Sequence, residues 1–233
     1  MQRIWIIDVA RTLALIGMAA FHLVYDLQMF GVLPPGTATS GIFYYHARIV
    51  AGSFLFLAGM GLWLAHGSGL HWHAFWRRWL RIAAAAAGVT LVTRLAMPQA
   101  WVFFGILHCI ALASLIALPC LRLPALLTLA LGATVLGAAW WAPPLLEWTW
   151  PPLRFLGLQT GPTYSVDFVP LVPWFGPFLI GLGLARLIGP GWVRLARLQA
   201  PDWLAWPGRH SLAIYLLHQP VLIGLLWLIL QLV

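Results

Sequence analysis

The stretch from Asp8 to Asp26 carries four residues able to do acid–base or ion-binding chemistry: Asp8, Arg11, His22 and Asp26. At 100° per residue, Arg11 and His22 are eleven positions and ~20° apart around a helix. Asp26 lies one turn beyond His22, and Asp8 about one turn before Arg11, so the four make one polar stripe. A carboxylate within reach of an imidazole fixes its tautomer and raises its basicity, as a general base requires. The i,i+4 spacing of His22 and Asp26 permits that contact. Asp8 and Arg11 permit an ion pair near one end of the same helix.

The helix that must hold this stripe is otherwise apolar, and so is the chain. Of 233 residues, 62% are hydrophobic and 8% charged, against about 25% charged in an average soluble protein. A soluble domain of this size cannot hide so much apolar surface. Disorder and nucleic-acid binding are excluded with it, despite a formal charge of +8. The expected fold is an all-α integral membrane protein forming a single domain over residues 1–233. Seven segments reach or approach the ~20 residues needed to span a bilayer: roughly 4–30, 45–66, 77–97, 101–121, 124–143, 168–188 and 211–233. Proline and glycine punctuate them, as at Pro34-Pro35-Gly36, Pro98 and Pro207.

Arginine orients the chain. All 13 basic residues are Arg. With the N-terminus inside, Arg3, Arg77, Arg78, Arg81, Arg122, Arg186, Arg194, Arg197 and Arg209 face the cytoplasm. Arg48, Arg94 and Arg154 face out, and Arg11 lies within the first helix. The positive-inside rule therefore predicts an N-terminus inside and a C-terminus outside. The loop at 142–167, with Trp148, Trp150 and Pro151-Pro152, becomes an outer interfacial segment. Trp76 and Trp79, beside Arg77 and Arg78, read as an inner interfacial anchor. Cys109 and Cys120, eleven residues apart, would lie ~16 Å from each other and could not bridge if that helix is continuous. No Cys/His spacing for zinc occurs, so no metal site is expected.

Depth then groups the intramembrane polar residues, each a functional candidate because charge in hydrocarbon is costly. His46 and Arg48 open the second helix on the outer side, Arg94 closes the third, His108 lies ~10 Å into the fourth, and Asp167 starts the sixth. With His22 and Asp26 they form an outer polar crowd drawn from five helices, suited to a water-accessible cavity. On the last helix, Ser211, Tyr215 and His218 share a face, with His218 at about the depth of Arg11, toward the inner side.

The opening "IDVARTLALIGMAAFHLVYDL" resembles the first helix of the transmembrane acyltransferase superfamily, whose type 3 members carry Arg-x10-His, the spacing of Arg11 and His22. More closely, "FHLVYDL", "GSFLFLAGMGL", "FFGILHCIALASL", "VPWFGPFLIGLGLARL" and "GRHSLAIYLLHQP" resemble the bacterial branch of the heparan-α-glucosaminide N-acetyltransferase catalytic-domain family. The resemblance runs over nearly the whole chain. It implies a membrane enzyme that takes an acyl group, acetyl or longer, from cytoplasmic acyl-CoA. The acceptor implied is a hydroxyl or amine, usually of a sugar, on the far side of the bilayer. By position, Arg11 would line the donor route and His22 would be the catalytic histidine. Lysosomal members have Asn at the His22 position and their catalytic histidine later, which by order would be His46.

The catalytic candidates are thus His22, Asp26 and His46; the substrate-binding candidates are Arg11, Arg48, His108, Asp167 and His218. The inner arginines would attract the phosphates of acyl-CoA, and Arg48 or His108 would stabilise an oxyanion. Direct attack and a covalent acyl-histidine both remain open. The expected partners are the lipid bilayer, acyl-CoA and a glycan or other small acceptor, with a second copy of the chain a further candidate. A bacterial inner membrane is the expected location. Rival readings are a transporter or flippase for a small anionic or lipid-linked solute, a haem or quinone protein, and a scaffold.

Overall fold

The computed structural model describes residues 4–141, 151–159, 163–198 and 201–232. Every regular element among them is helical. The helices are α1 (Trp5–Met29), α2 (Gly41–His66), α3 (Trp72–Ala96), α4 (Ile106–Ile116), α5 (Ala125–Trp141), α6 (Leu171–Ile188), α7 (Gly191–Leu195), α8 (Asp202–Arg209) and α9 (Ser211–Leu230). Short 3₁₀ turns occupy Thr37–Thr39, Pro119–Arg122 and Pro151–Leu156. Arg3, Trp148 and Trp150 lie outside the described residues, so the expectations placed on them do too.

Among the described residues, five helices, α1, α2, α3, α6 and α9, are long and apolar enough to cross a membrane. The fourth and fifth expected spans are shorter. Only Ile106–Ile116 of the 101–121 segment is α-helical. Pro119 opens a 3₁₀ turn on one side. On the other, Val166 and Val169 donate backbone N–H bonds to the carbonyls of Ala100 and Phe104, holding 100–104 as a loop. Apolar runs bounded by such breaks look like full spans in sequence, because hydropathy carries no hydrogen-bond information.

The chain divides into two compact units, Met1–Phe54 with Pro190–Val233, and Leu55–Gly189. In the first, α1 buries Ile7, Asp8, Thr12, Ala14, Leu15, Met18 and Asp26, and exposes Leu13, Ile16 and Leu23. At 100° per residue the buried set falls on one side of the helix. That face takes α8 and α9 in register. Gly208 lies against the backbone of Asp8, where a Cβ would collide with the Asp8 carbonyl. Thr12 Oγ1 donates to the Leu204 carbonyl at 2.8 Å and accepts the Gly208 N–H at 3.0 Å. Higher up, the His22 and His218 rings touch, and Asp26 meets Gln219. Residue numbers rise together along both partners, so α1 and α9 run parallel.

In the second unit, α5 and α6 pack at backbone distance. Gly132 and Gly176 face each other, and Gly183 meets Leu129. The later turns of α2 join α6 in the same way: Gly59 abuts the Phe178 carbonyl and Gly181 the Phe56 carbonyl. Small residues let apolar helices approach where no hydrophobic effect drives them together. Arg186 turns inward, donating to the carbonyls of Leu121 and Leu123 and lying 5.1 Å from the Trp63 ring centre. It closes the carbonyl end of the 119–122 turn.

Candidate active site

His22 and Asp26 both project from α1 toward α9. Their partners come from two adjacent α9 residues. The His218 ring lies 4.8 Å from that of His22, centre to centre, with the planes at 60°. Asp26 is fully buried and accepts the Gln219 Nε2–H at 2.7 Å. Among the described residues, four buried polar atoms in this cluster have no hydrogen-bond partner: His22 Nδ1, Asp26 Oδ2, His218 Nε2 and Gln219 Oε1. Buried polar atoms are almost always satisfied. Four open ones on two facing turns make a ready place for a polar ligand group.

Two expectations change here. No hydrogen bond or ion pair joins His22 to Asp26 among the described residues. The carboxylate takes the amide of Gln219 instead, and the imidazole faces His218. The depth of His218 also differs. It was expected at the level of Arg11, yet it stands against His22, eleven residues further along α1. The reason is α8, which occupies the Asp8–Thr12 level and lifts the start of α9 above it.

His218 Nδ1 lies 2.5 Å from the Tyr215 carbonyl. A carbonyl only accepts, so Nδ1 carries the proton and Nε2 of the neutral ring holds the lone pair. His46 is committed elsewhere. Its Nε2 donates to the Gly17 carbonyl at 2.8 Å, and the two helices meet there so closely that a Cβ on Gly17 would come 2.8 Å from Val50. Arg48 is exposed, its guanidinium 3.9 Å from the Tyr44 ring centre.

Arg11 belongs to a charge cluster at the α1–α8 junction. Its Nη1 is 3.4 Å from Asp8 Oδ1. Asp8 Oδ2 is 3.6 Å from Arg209 Nε, and Arg209 Nη1 pairs with Asp202 at 2.9 Å. Arg11 and Arg209 keep about a quarter of their side-chain surface exposed, enough to meet an anion.

The remaining candidates stand in the second unit. Gly105 N–H donates to His108 Nδ1 at 3.2 Å, so the ring proton sits on Nε2, which meets Thr90 Oγ1 at 3.1 Å. Thr90 passes its own proton to the Val102 carbonyl. Both nitrogens of His108 thus cap the start of α4 and tie it to α3. Asp167 accepts the Ile106 N–H at 3.1 Å, a second cap on the same turn. Desolvation pushes Asp167 up to about 6, against the lowering effect of that backbone bond. Arg94 lies 5.0 Å from the Trp101 ring centre. Among the described residues, no group of three His, Cys, Asp or Glu is placed to hold a metal ion.

A family model described as heparan-alpha-glucosaminide N-acetyltransferase, catalytic, matches residues 3–220. The chain belongs to this family. It is a family of membrane acetyltransferases, and the match spans α1 through Gln219 and Pro220, hence the whole α1–α9 cluster. No curated protein and no solved structure matches the chain.

For this N-acetyltransferase family member, sequence reading found His22, Asp26 and His218 but not Gln219. Gln219 stands in the stretch "GRHSLAIYLLHQP" but carries no role in that reading. The signal was there: a fully apolar helix seldom places an amide beside a histidine unless another helix takes it. Thr12 and Gly208 were missed because their partners lie nearly 200 positions away.

Proposed function

We propose that this chain transfers an acyl group, acetyl in the first instance, from cytoplasmic acyl-CoA to a hydroxyl or amine on the outer side of a bacterial inner membrane. A sugar is the favoured carrier of the acceptor group. The observation that carries the reading is the set of four open buried polar atoms between α1 and α9, inside the family match. An acceptor held there would meet a carboxylate, an amide oxygen and two imidazoles of one side-chain cluster. Its lone pair attacks the thioester carbonyl carbon, the C–S bond breaks, and its proton passes to an imidazole of the cluster.

The donor end of the reading rests on charge. Arg11 and Arg209 flank the α1–α8 junction on the side that the arginine distribution assigns to the cytoplasm. Arg77, Arg78, Arg81, Arg194 and Arg197 add positive charge on that side, suited to the CoA phosphates. Arg48 remains a candidate for the outer, acceptor side. His46 supports the site through its bond to α1.

The test is turnover of acetyl-CoA by detergent-purified protein, in wild type, His22→Ala and His46→Ala. Saturable binding with transfer or hydrolysis, lowered in His22→Ala because that ring packs against His218, is the expected outcome. Absence of binding to acetyl-CoA and to longer acyl-CoA would reject the reading and favour a transporter of anionic or lipid-linked cargo.

A further inference from the structure

Three histidines approach the α1 face of the first unit, and they are not equivalent. A general base needs a fixed ring, a fixed tautomer and an open lone pair; in Ser-His-Asp sites a third group supplies the first two. His46 presents Nε2–H to the Gly17 carbonyl, so that nitrogen is a donor and is occupied. His22 makes no hydrogen bond through either ring nitrogen among the described residues, so no partner sets its tautomer. His218 alone meets all three conditions. Its Nδ1–H is anchored on the Tyr215 carbonyl, its ring is wedged between the rings of His22 and Tyr215, and its Nε2 is buried without a partner.

The Asp26–Gln219 contact has a matching asymmetry. Gln219 spends its N–H on Asp26 Oδ1 and leaves its own Oε1 open, as Asp26 leaves Oδ2. The bond fixes the carboxylate one turn from His22 and beside the residue that follows His218. A carboxylate held there stabilises the imidazolium that forms when a proton arrives.

The structure assigns the proton-accepting role in acyl transfer to His218 Nε2, with Gln219 as the positioning residue for Asp26. This rests on the acyltransferase reading above and names which histidine acts. The acceptor X–H gives its proton to His218 Nε2 as X bonds to the carbonyl carbon. The C–S bond then breaks with its electron pair on sulfur, and His218 returns the proton to that sulfur. The products are the acylated acceptor and the free thiol, and His218 is neutral again.

Two measurements test it. The first is independent of turnover: ¹⁵N-histidine NMR of the wild type in nanodiscs, with His218→Gln for assignment. A bare Nε2 and a protonated Nδ1 are expected at His218; the opposite tautomer would overturn the assignment. The second is acetyl transfer from acetyl-CoA. His218→Gln is expected to lower kcat roughly 10²–10⁴-fold, the range of general-base catalysis, with KM for acetyl-CoA changed less than about threefold. Gln219→Met is expected to lower kcat with KM held, and the exchange Asp26→Asn with Gln219→Glu, which rebuilds the same contact reversed, to recover part of it. Transfer that survives His218→Gln overturns the assignment alone. A failed exchange overturns the role of Gln219. A wild type that transfers nothing rejects the acyltransferase reading itself, and the assignment falls with it.

Discussion

At the scale of single residues, stability and chemistry separate cleanly. Gly208 and Thr12 hold α8 to α1 by close approach and by two hydrogen bonds. Gly208→Ala forces a methyl into the Asp8 carbonyl, so a loss of about 1–3 kcal/mol is expected from overpacking. Thr12→Val strands the Gly208 N–H and the Leu204 carbonyl, at a cost of about 1–3 kcal/mol. Thermal unfolding of the purified protein reads both; a Tm unchanged in either variant would refute the packing described. The stripe of Asp8, Arg11, His22 and Asp26 was legible because α-helical spacing is a local property. What each carboxylate binds was not. Asp8 does meet Arg11, its local partner, but Asp26 ignores His22 for an amide 193 positions away, and no periodicity encodes that choice.

At the scale of elements, the parallel course of α1 and α9 is the firmest constraint on topology. If both cross the bilayer, the ends of the pair lie on opposite faces, and the crossings number an odd total. Cysteines placed just before α1 and just after α9 should therefore label from opposite sides of an inverted or right-side-out vesicle; labelling from one side would contradict the pairing. The helical class and the main helices were readable from hydropathy and from Pro/Gly punctuation. The length of α4 was not, since its start is set by His108 and Asp167 acting as caps, with Thr90 holding the His108 ring. That corner also predicts a pH effect. Asp167 is raised by burial to about 6 in the folded protein, above the ordinary carboxylate value near 4. The folded state then binds the proton more tightly than the unfolded one. Stability falls as pH rises from about 4 to about 6 and stays lower above that. Asp167→Asn keeps the acceptor for the Ile106 N–H and should flatten this dependence, as denaturation midpoints at pH 4.5 and 7.5 would show. An equal slope in wild type and variant would contradict it.

At the scale of the molecule, the proposed function rests on a charge distribution, and the fold joins the two ends of the chain. The arginines assigned to the cytoplasmic side should make acyl-CoA affinity fall as ionic strength rises through the range where the Debye length shrinks from about 30 to 8 Å. Fluorescent acyl-CoA titrations at low and physiological salt would read this, and salt-independent binding would remove the arginines from the donor site. The α3 surface, which buries little beyond Phe75 and Ala86 and exposes Leu91, Val92 and Leu95, suits lipid. The α1–α9 pairing has a further consequence, in biogenesis. The partners Asp26 and Gln219 are 193 residues apart, so at ~5–20 residues per second a ribosome needs roughly 10–40 s to deliver the second after the first. Throughout that interval α1 carries an ionisable carboxylate and an imidazole with no helix to receive them. The nascent segment must wait in a polar shelter, at the insertion machinery or at the headgroup layer, until α8 and α9 are synthesised. A stalled ribosome, or a stop codon ahead of α9, would leave that segment for membrane quality control to recognise and degrade.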